Sequence, residues 1–312
     1  MELPPIDVLV ADKQFATYLQ VGIATVLVID YIGTIHLEIR HVWSAPWSPI
    51  KALFLLARYS AFLDVAFIVR YNLISKADLS AETCRLFHSL GVATVLVTVA
   101  LAEGVLFIRV YALSARNKVL MACLMTQFVL VHAGEFALMS VLIKTTGFDI
   151  IPGIADFIGC TPLPPPNSSM ILRLIFGLLV LNATVLVMLM CWLGIRRFRN
   201  TRVSNLVAVF FRDGLGYFLV IASIAVVNII ANSRITASNF ILAESQGVFH
   251  AILACRLVLH LREVGSQTET EVRGGRGKDD DHFNIIALRS TQPHRFPLIE
   301  ITKTQITETY RQ

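Results

Sequence analysis

Charge is scarce in this chain: 16% of its 312 residues are Asp, Glu, Lys or Arg, against 55% hydrophobic. Ordinary soluble domains carry about a quarter charged residues, because one core must be wrapped in a hydrated surface. The shortage therefore excludes a typical water-soluble globular protein. Signatures of chemistry are missing too. The sequence holds no Gly-rich phosphate loop, no nucleophile elbow and no paired catalytic carboxylates, so nothing in it argues for an enzyme. No Cys/His spacing suits zinc, no cofactor-binding pattern is present, and no nucleic-acid partner is expected.

What the chain has instead is length without polarity. Seven apolar runs of about 19–27 residues fill it up to Arg262: Thr17–Leu37, Lys51–Leu73, Leu86–Ala112, Val119–Ile143, Ile171–Leu193, Gly214–Asn232 and Phe240–Leu261. At 1.5 Å of rise per residue each matches roughly 30 Å of hydrocarbon, and the mean hydropathy is +0.66. The expected fold is all-α: a polytopic membrane protein with a bundle of seven transmembrane helices. None of the runs contains Pro, which distances the chain from rhodopsin-like receptors. The seventh contains no Lys, which excludes a retinal Schiff base at the position opsins use.

Composition divides the chain into three regions. Residues 1–16 are short and polar with Pro4 and Pro5, and are expected to remain as an extracellular segment rather than to be cleaved as a signal peptide. Residues 17–261 form the membrane domain. Residues 262–312 carry Glu-Thr repeats and the run Asp279-Asp280-Asp281, and lack an apolar face, so a disordered cytoplasmic tail is expected. Basic residues set the orientation. With the amino terminus outside, the inner segments gather Arg40, Lys51, Arg109, Arg116, Lys118 and the cluster Arg196, Arg197, Arg199, Arg202 and Arg212, outnumbering the basic residues outside. The sequon Asn167-Ser168-Ser169 then falls outside, making Asn167 a candidate glycosylation site. Cys84 and Cys160 fall outside as well, where either a disulfide or two free thiols is permitted. The plasma membrane and the endomembranes both suit this layout.

Ionisable residues inside a bilayer cost a few kcal/mol each on insertion scales and call for a partner or a wet cavity. Counting from the inner helix ends, Asp30 and Arg58 both lie roughly 10 Å deep on consecutive antiparallel helices, so an ion pair between them is expected. Glu103, Arg109 and Arg256 also fall toward the inner side, which suggests one inner polar network. It pins helix register, acts as a switch or forms a proton or ion path, the last being the weaker reading because no chain of acids continues outward in register. Asp64, His132, Glu135, Asn182, Asn228, Glu244 and His250 fall nearer the middle or outer half, lining a cavity or hydrogen-bonding between helices. His36, Glu38 and His41 do not follow the zinc-protease spacing and sit beside Arg40 and Trp43, as an interfacial anchor would. Between Arg196 and Arg212, apolar residues at helical spacing fit a membrane-surface helix or a docking surface for a cytoplasmic partner.

One stretch, Tyr18–Tyr71, carries a distinctive series: Asp30-Tyr31, Thr34, Glu38-Ile39, Trp43, Trp47-Ser48, Lys51, Leu53-Phe54-Leu55-Leu56 and Arg58-Tyr59. It resembles the fungal, basidiomycete-rich integral-membrane family named for domain of unknown function 6533. The segments Arg109–Leu113 and Arg256–Glu263 are also similar to helix ends of that family. The resemblance implies a multi-spanning protein and singles out Asp30, Glu38, Arg58 and Tyr59 as signature positions. It brings no activity. Ala57 departs from the polar residue common before the signature arginine. The leading expectation is a receptor-like protein that senses a small-molecule ligand and acts on a cytoplasmic signalling protein, with the lipid bilayer as its constant partner. A transporter or channel is the alternative, and a structural or scaffolding protein the third reading.

Overall fold

The computed structural model describes residues 6–72, 80–114, 117–149, 160–163, 165–200, 216, 219–230 and 241–279. The basic segment beyond Asn200 and the tail beyond Asp279 lie outside the described residues, as does the side chain of Glu244. The elements run in order as α1 (Ile6–Glu38) with a π-helical turn (Ile39–Trp43), α2 (Pro49–Asn72), α3 (Ala81–Leu113), α4 (Lys118–Thr145), β1 (Gly147–Asp149), β2 (Thr161–Leu163), α5 (Ser168–Asn200), α6 (Leu219–Ile230) and α7 (Ile241–Asp279).

Five of these helices are long and apolar enough to cross a membrane. They coincide with the first five apolar runs. The sixth run is described only as the shorter apolar helix Leu219–Ile230, and the seventh, from Ile241 on, lies within the longer α7. Two helices overrun the expected region boundaries: α1 begins at Ile6, within the expected polar segment, and α7 continues past Arg262 to Asp279. Neither extension contains Pro, and adding a residue to an existing helix costs far less than nucleating one. An apolar face is therefore not needed to extend a helix already held in the bundle.

Local chemistry sets the helix starts. The Ser80 hydroxyl accepts from the Thr83 N–H at 3.1 Å and caps α3; the Asn117 side chain accepts from the Val119 N–H at 2.9 Å and caps α4. Each satisfies a donor that the first helical turn leaves unpaired.

The packing reverses that of a soluble protein. Val28, Ile29 and Ile32 of α1 and Val129 and Leu130 of α4 are exposed, while Asp30, Glu38, Arg58, Asp64, Glu103 and Glu135 are buried. Apolar faces turned outward around interior charges suit a hydrocarbon solvent. The protein is an all-α integral membrane protein with several apolar helices.

α7 lies against α1, α2 and α3, with Val248, Ala251 and Ile252 packed on Ile23, Leu27 and Ala61, and Ala254, Cys255, Val258 and Leu259 on Phe54, Ala102 and Val105. Gly247 permits the approach to α3, since a Cβ there would come within 3.1 Å of Val95 Cγ1. α4 and α5 pair on the other side of α3 through Met139, Leu142, Leu172, Ile175 and Phe176.

At the end opposite the α1–α2 corner, β1 and β2 pair antiparallel, with Phe148 opposite Pro162. A disulfide joins Cys84 at the start of α3 to Cys160 before β2. Around it, Phe148 meets the buried His88 edge-to-face, and the Tyr71 hydroxyl donates to the Cys160 carbonyl at 3.3 Å. Asn167 is exposed at this same end, one residue before α5.

Candidate functional site

The bundle buries two groups of ionisable side chains. The first is built at the α1–α2 corner. A π-helical turn widens the backbone so that residues five apart share a face, and Trp43 Nε1 donates to Glu38 Oε1 at 3.0 Å. Tyr59 of α2 donates its hydroxyl to the same oxygen at 3.0 Å. Glu38 Oε2 faces Arg58 Nε at 2.7 Å. The Arg58 guanidinium also donates to the Thr34 hydroxyl at 2.6 Å and lies 3.9 Å from Asp30 Oδ2. The rings of Tyr31 and Phe54 flank it at 5.0 and 5.8 Å. Asp30 receives its closest donor from α7, the Nε of Arg256. Two carboxylates and two guanidiniums thus neutralise one another across three helices; Asp30, Glu38 and Arg58 are buried, while the Arg256 side chain is 52% exposed and reaches Asp30 from the edge of the group.

Lys51 closes the corner beneath them. Its ammonium donates to the carbonyls of Trp43 and Ala45 at 3.0 and 2.6 Å, satisfying acceptors left open where the π-helical turn ends. Farther along α7, Arg262 donates to the His41 carbonyl at 2.6 Å. A crevice of ≈ 10 Å³ opens between Asp30, Tyr31, Arg58 and Cys255. That is room for about one water molecule and too little for an organic ligand.

The second group lies among α3, α4, α5 and α7. Glu103 Oε2 accepts from the Asn182 amide and lies 3.3 Å from His132 Nε2. His132 Nδ1 is 2.9 Å from Glu135 Oε2. Gln127 donates to Asn182 Oδ1 at 2.7 Å, and His250 of α7 faces Glu103 Oε1 at 3.8 Å.

The single inner network expected from depth is therefore divided. Asp30, Glu38, Arg58, Tyr59 and Arg256 come together at the corner, whereas Glu103 belongs to the second group. Arg109 is buried six residues farther along α3, about 9 Å toward the corner end. Depth along a helix is countable from sequence, but which neighbour a side chain faces depends on how the helices pack. Thr34 belongs to the signature series, whereas Gln127 and Gln246 carry no mark in the sequence beyond being polar residues inside apolar runs. Asp64 is fully buried on α2, near Gly247 of α7. Among the described residues, no group of three His, Cys, Asp or Glu side chains is arranged to hold a metal ion, His36, Glu38 and His41 included.

The corner site is built almost wholly from one contiguous stretch, α1 through the first half of α2. Residues 18–63 match the family model described as Family of unknown function (DUF6533). The DUF6533 match contains Asp30, Thr34, Glu38, Trp43, Lys51, Arg58 and Tyr59, every corner residue apart from those supplied by α7. The matched segment is therefore the scaffold of a buried ion-pair centre, and Arg256 completes that centre from outside it. No curated protein matches the chain.

Proposed function

We propose that the protein is a seven-pass, non-enzymatic, receptor-like membrane protein with its amino terminus outside and its tail in the cytoplasm. In this reading a small ligand acting from the disulfide-bearing side shifts α7, and the inner face signals to a cytoplasmic protein. The observation that carries it is the way α7 is held. His250 faces Glu103, Arg256 bonds Asp30, and Arg262 bonds the His41 carbonyl, so one helix meets polar partners on α3, on α1 and on the π-helical turn. A small displacement of α7 would exchange all three contacts together, which is how packed interfaces become two-state elements. Seven passes follow if α6 and α7 both cross, and the disulfide is at home on an oxidising face.

Proximity labelling from a tag on the carboxyl terminus, paired with flux assays in reconstituted vesicles, tests the reading. A labelled cytoplasmic signalling protein whose recovery falls in Arg256→Gln supports it. Solute flux through the purified protein would favour a transporter instead, and neither result would leave a structural membrane protein.

A further inference from the structure

Glu135, His132, Glu103 and His250 follow one another in contact across α4, α3 and α7. Glu103 Oε2 accepts from the Asn182 amide, whose orientation is set by Gln127 donating to Asn182 Oδ1 at 2.7 Å. With the two amides in this orientation Glu103 Oε2 acts as an acceptor, and His132 Nε2, 3.3 Å away, is placed to present an N–H to it. Between His132 Nδ1 and Glu135 Oε2, 2.9 Å apart, lies a second hydrogen, borne by either group. On α7, His250 Nδ1 is 2.9 Å from the Gln246 backbone carbonyl, which can only accept, so Nδ1 carries a hydrogen.

His250 Nε2 then faces Glu103 Oε1 at 3.8 Å. Without a hydrogen between them, two lone pairs oppose each other and the four groups carry one net negative charge. With it, two carboxylates and two imidazoles sum to zero. Glu103 is 2% and His250 1% exposed, and an uncompensated charge in such surroundings is strongly disfavoured.

We infer that Glu103 and His250 form a proton-binding site, in which the facing pair Glu103 Oε1 and His250 Nε2, 3.8 Å apart, takes up one exchangeable proton and the resulting attraction fastens α7 to α3. The neighbouring elements supply Asp64 from α2, His132 and Glu135 from α4, the neutral Asn182 from α5 and, through Gln246, the neutral Asn228 from α6. Arg109 lies farther along α3, and Arg256 farther along α7 is engaged by Asp30. Among the described residues, no Lys or Arg is recorded in contact with Glu103 or His250. This inference goes beyond the receptor-like reading and stands whether or not the inner face signals.

Magic-angle-spinning NMR of the full chain in liposomes, with ¹⁵N-labelled histidine, tests it. The technique separates ring nitrogens that carry or share a hydrogen from bare ones, and His250→Gln assigns the His250 signals by subtraction. The expected result is a His250 Nε2 signal that changes between about pH 5 and 8. Glu103→Gln should abolish that change or move it by at least about one pH unit. Asn182→Leu removes a donor that favours the unprotonated Glu103, so it should move the change to higher pH, and it serves if Glu103→Gln does not accumulate. A His250 Nε2 that stays bare throughout, or a transition unmoved in whichever of these two variants accumulates, overturns the proposal. So does a transition moved to lower pH in Asn182→Leu.

Discussion

Arg58 Nε lies 2.7 Å from Glu38 Oε2, with the two side chains 4% and 0% exposed. The contact joins α2 to the last residue of α1 across the corner between them. Asp30, 3.9 Å from the same guanidinium, is held instead by Arg256. Each acid therefore has its own nearest base, and Arg58 also links the two pairs.

Removing both members should cost less than the two single losses added together. Glu38→Leu and Arg58→Leu should each destabilise the protein by about 3–5 kcal/mol, because each leaves a buried charge without its partner. The double variant should fall well short of their sum. Coupling between Arg58 and Asp30, measured with Asp30→Asn, should be smaller, since Arg256 continues to serve Asp30. Thermal unfolding in detergent, followed by tryptophan fluorescence, gives these values. Simple additivity for Glu38 and Arg58 would mean that the observed contact carries no coupling energy.

The two donors on Glu38 Oε1 give a second cycle. Trp43→Phe and Tyr59→Phe each delete one hydrogen bond to a carboxylate, worth about 1.5–3 kcal/mol in general. Either donor alone leaves Oε1 satisfied, so the single losses should fall toward the lower figure. Together the substitutions strip that oxygen of both its observed donors, and the double variant should lose more than the sum. Tm measurements on the four proteins decide it, and a double variant no worse than the singles would refute shared capping of Glu38.

Run length, hydropathy and the depth of each charge were legible from residues alone, because a bilayer imposes a ruler on the sequence. Asp30 and Arg58 could be matched by counting for that reason. What counting could not supply is azimuth. Glu103 shares the inner half with Arg58 yet faces His132 of α4, Asn182 of α5 and His250 of α7. His250 and Arg256, six residues apart and about 120° apart around one helix, serve different groups. The π-helical turn was equally hidden: it depends on Glu38, Trp43 and Lys51 meeting in three dimensions, and no local propensity marks it. The β1–β2 pairing follows from loop residues whose partners lie beyond any helical period.

The Cys84–Cys160 disulfide closes a sequence separation of 76 residues. Chain entropy for a loop of that length gives about 4–5 kcal/mol. The observed loss in Cys84→Ser should be smaller, since helices that stay inserted in the bilayer already restrict the unfolded chain. Cys160→Ser should match it, and the double variant should be no worse than either single. Mobility on non-reducing gels and Tm with and without reductant read both effects. Unequal single variants, or no response to reductant, would place the stabilisation elsewhere.

Asn167 provides the test of orientation. It is exposed at the disulfide-bearing end, on the residue immediately before α5, and the Ile171 N–H donates to its carbonyl at 3.1 Å. If that end faces the lumen or the outside, the sequon meets the glycosylation machinery on its permitted side. Its position at the very start of a span crowds it against the bilayer, so occupancy at Asn167 should be partial. A second sequon engineered into residues 150–159, farther from α5 in sequence, should be modified fully. A carboxyl-terminal tag should then resist protease in right-side-out vesicles and be cleaved in inside-out ones. Failure of the engineered sequon together with an externally accessible tag would invert the proposed layout. A modified sequon with an accessible tag would require an even number of crossings between that loop and the tail, and would remove either α6 or α7 from the set of spans.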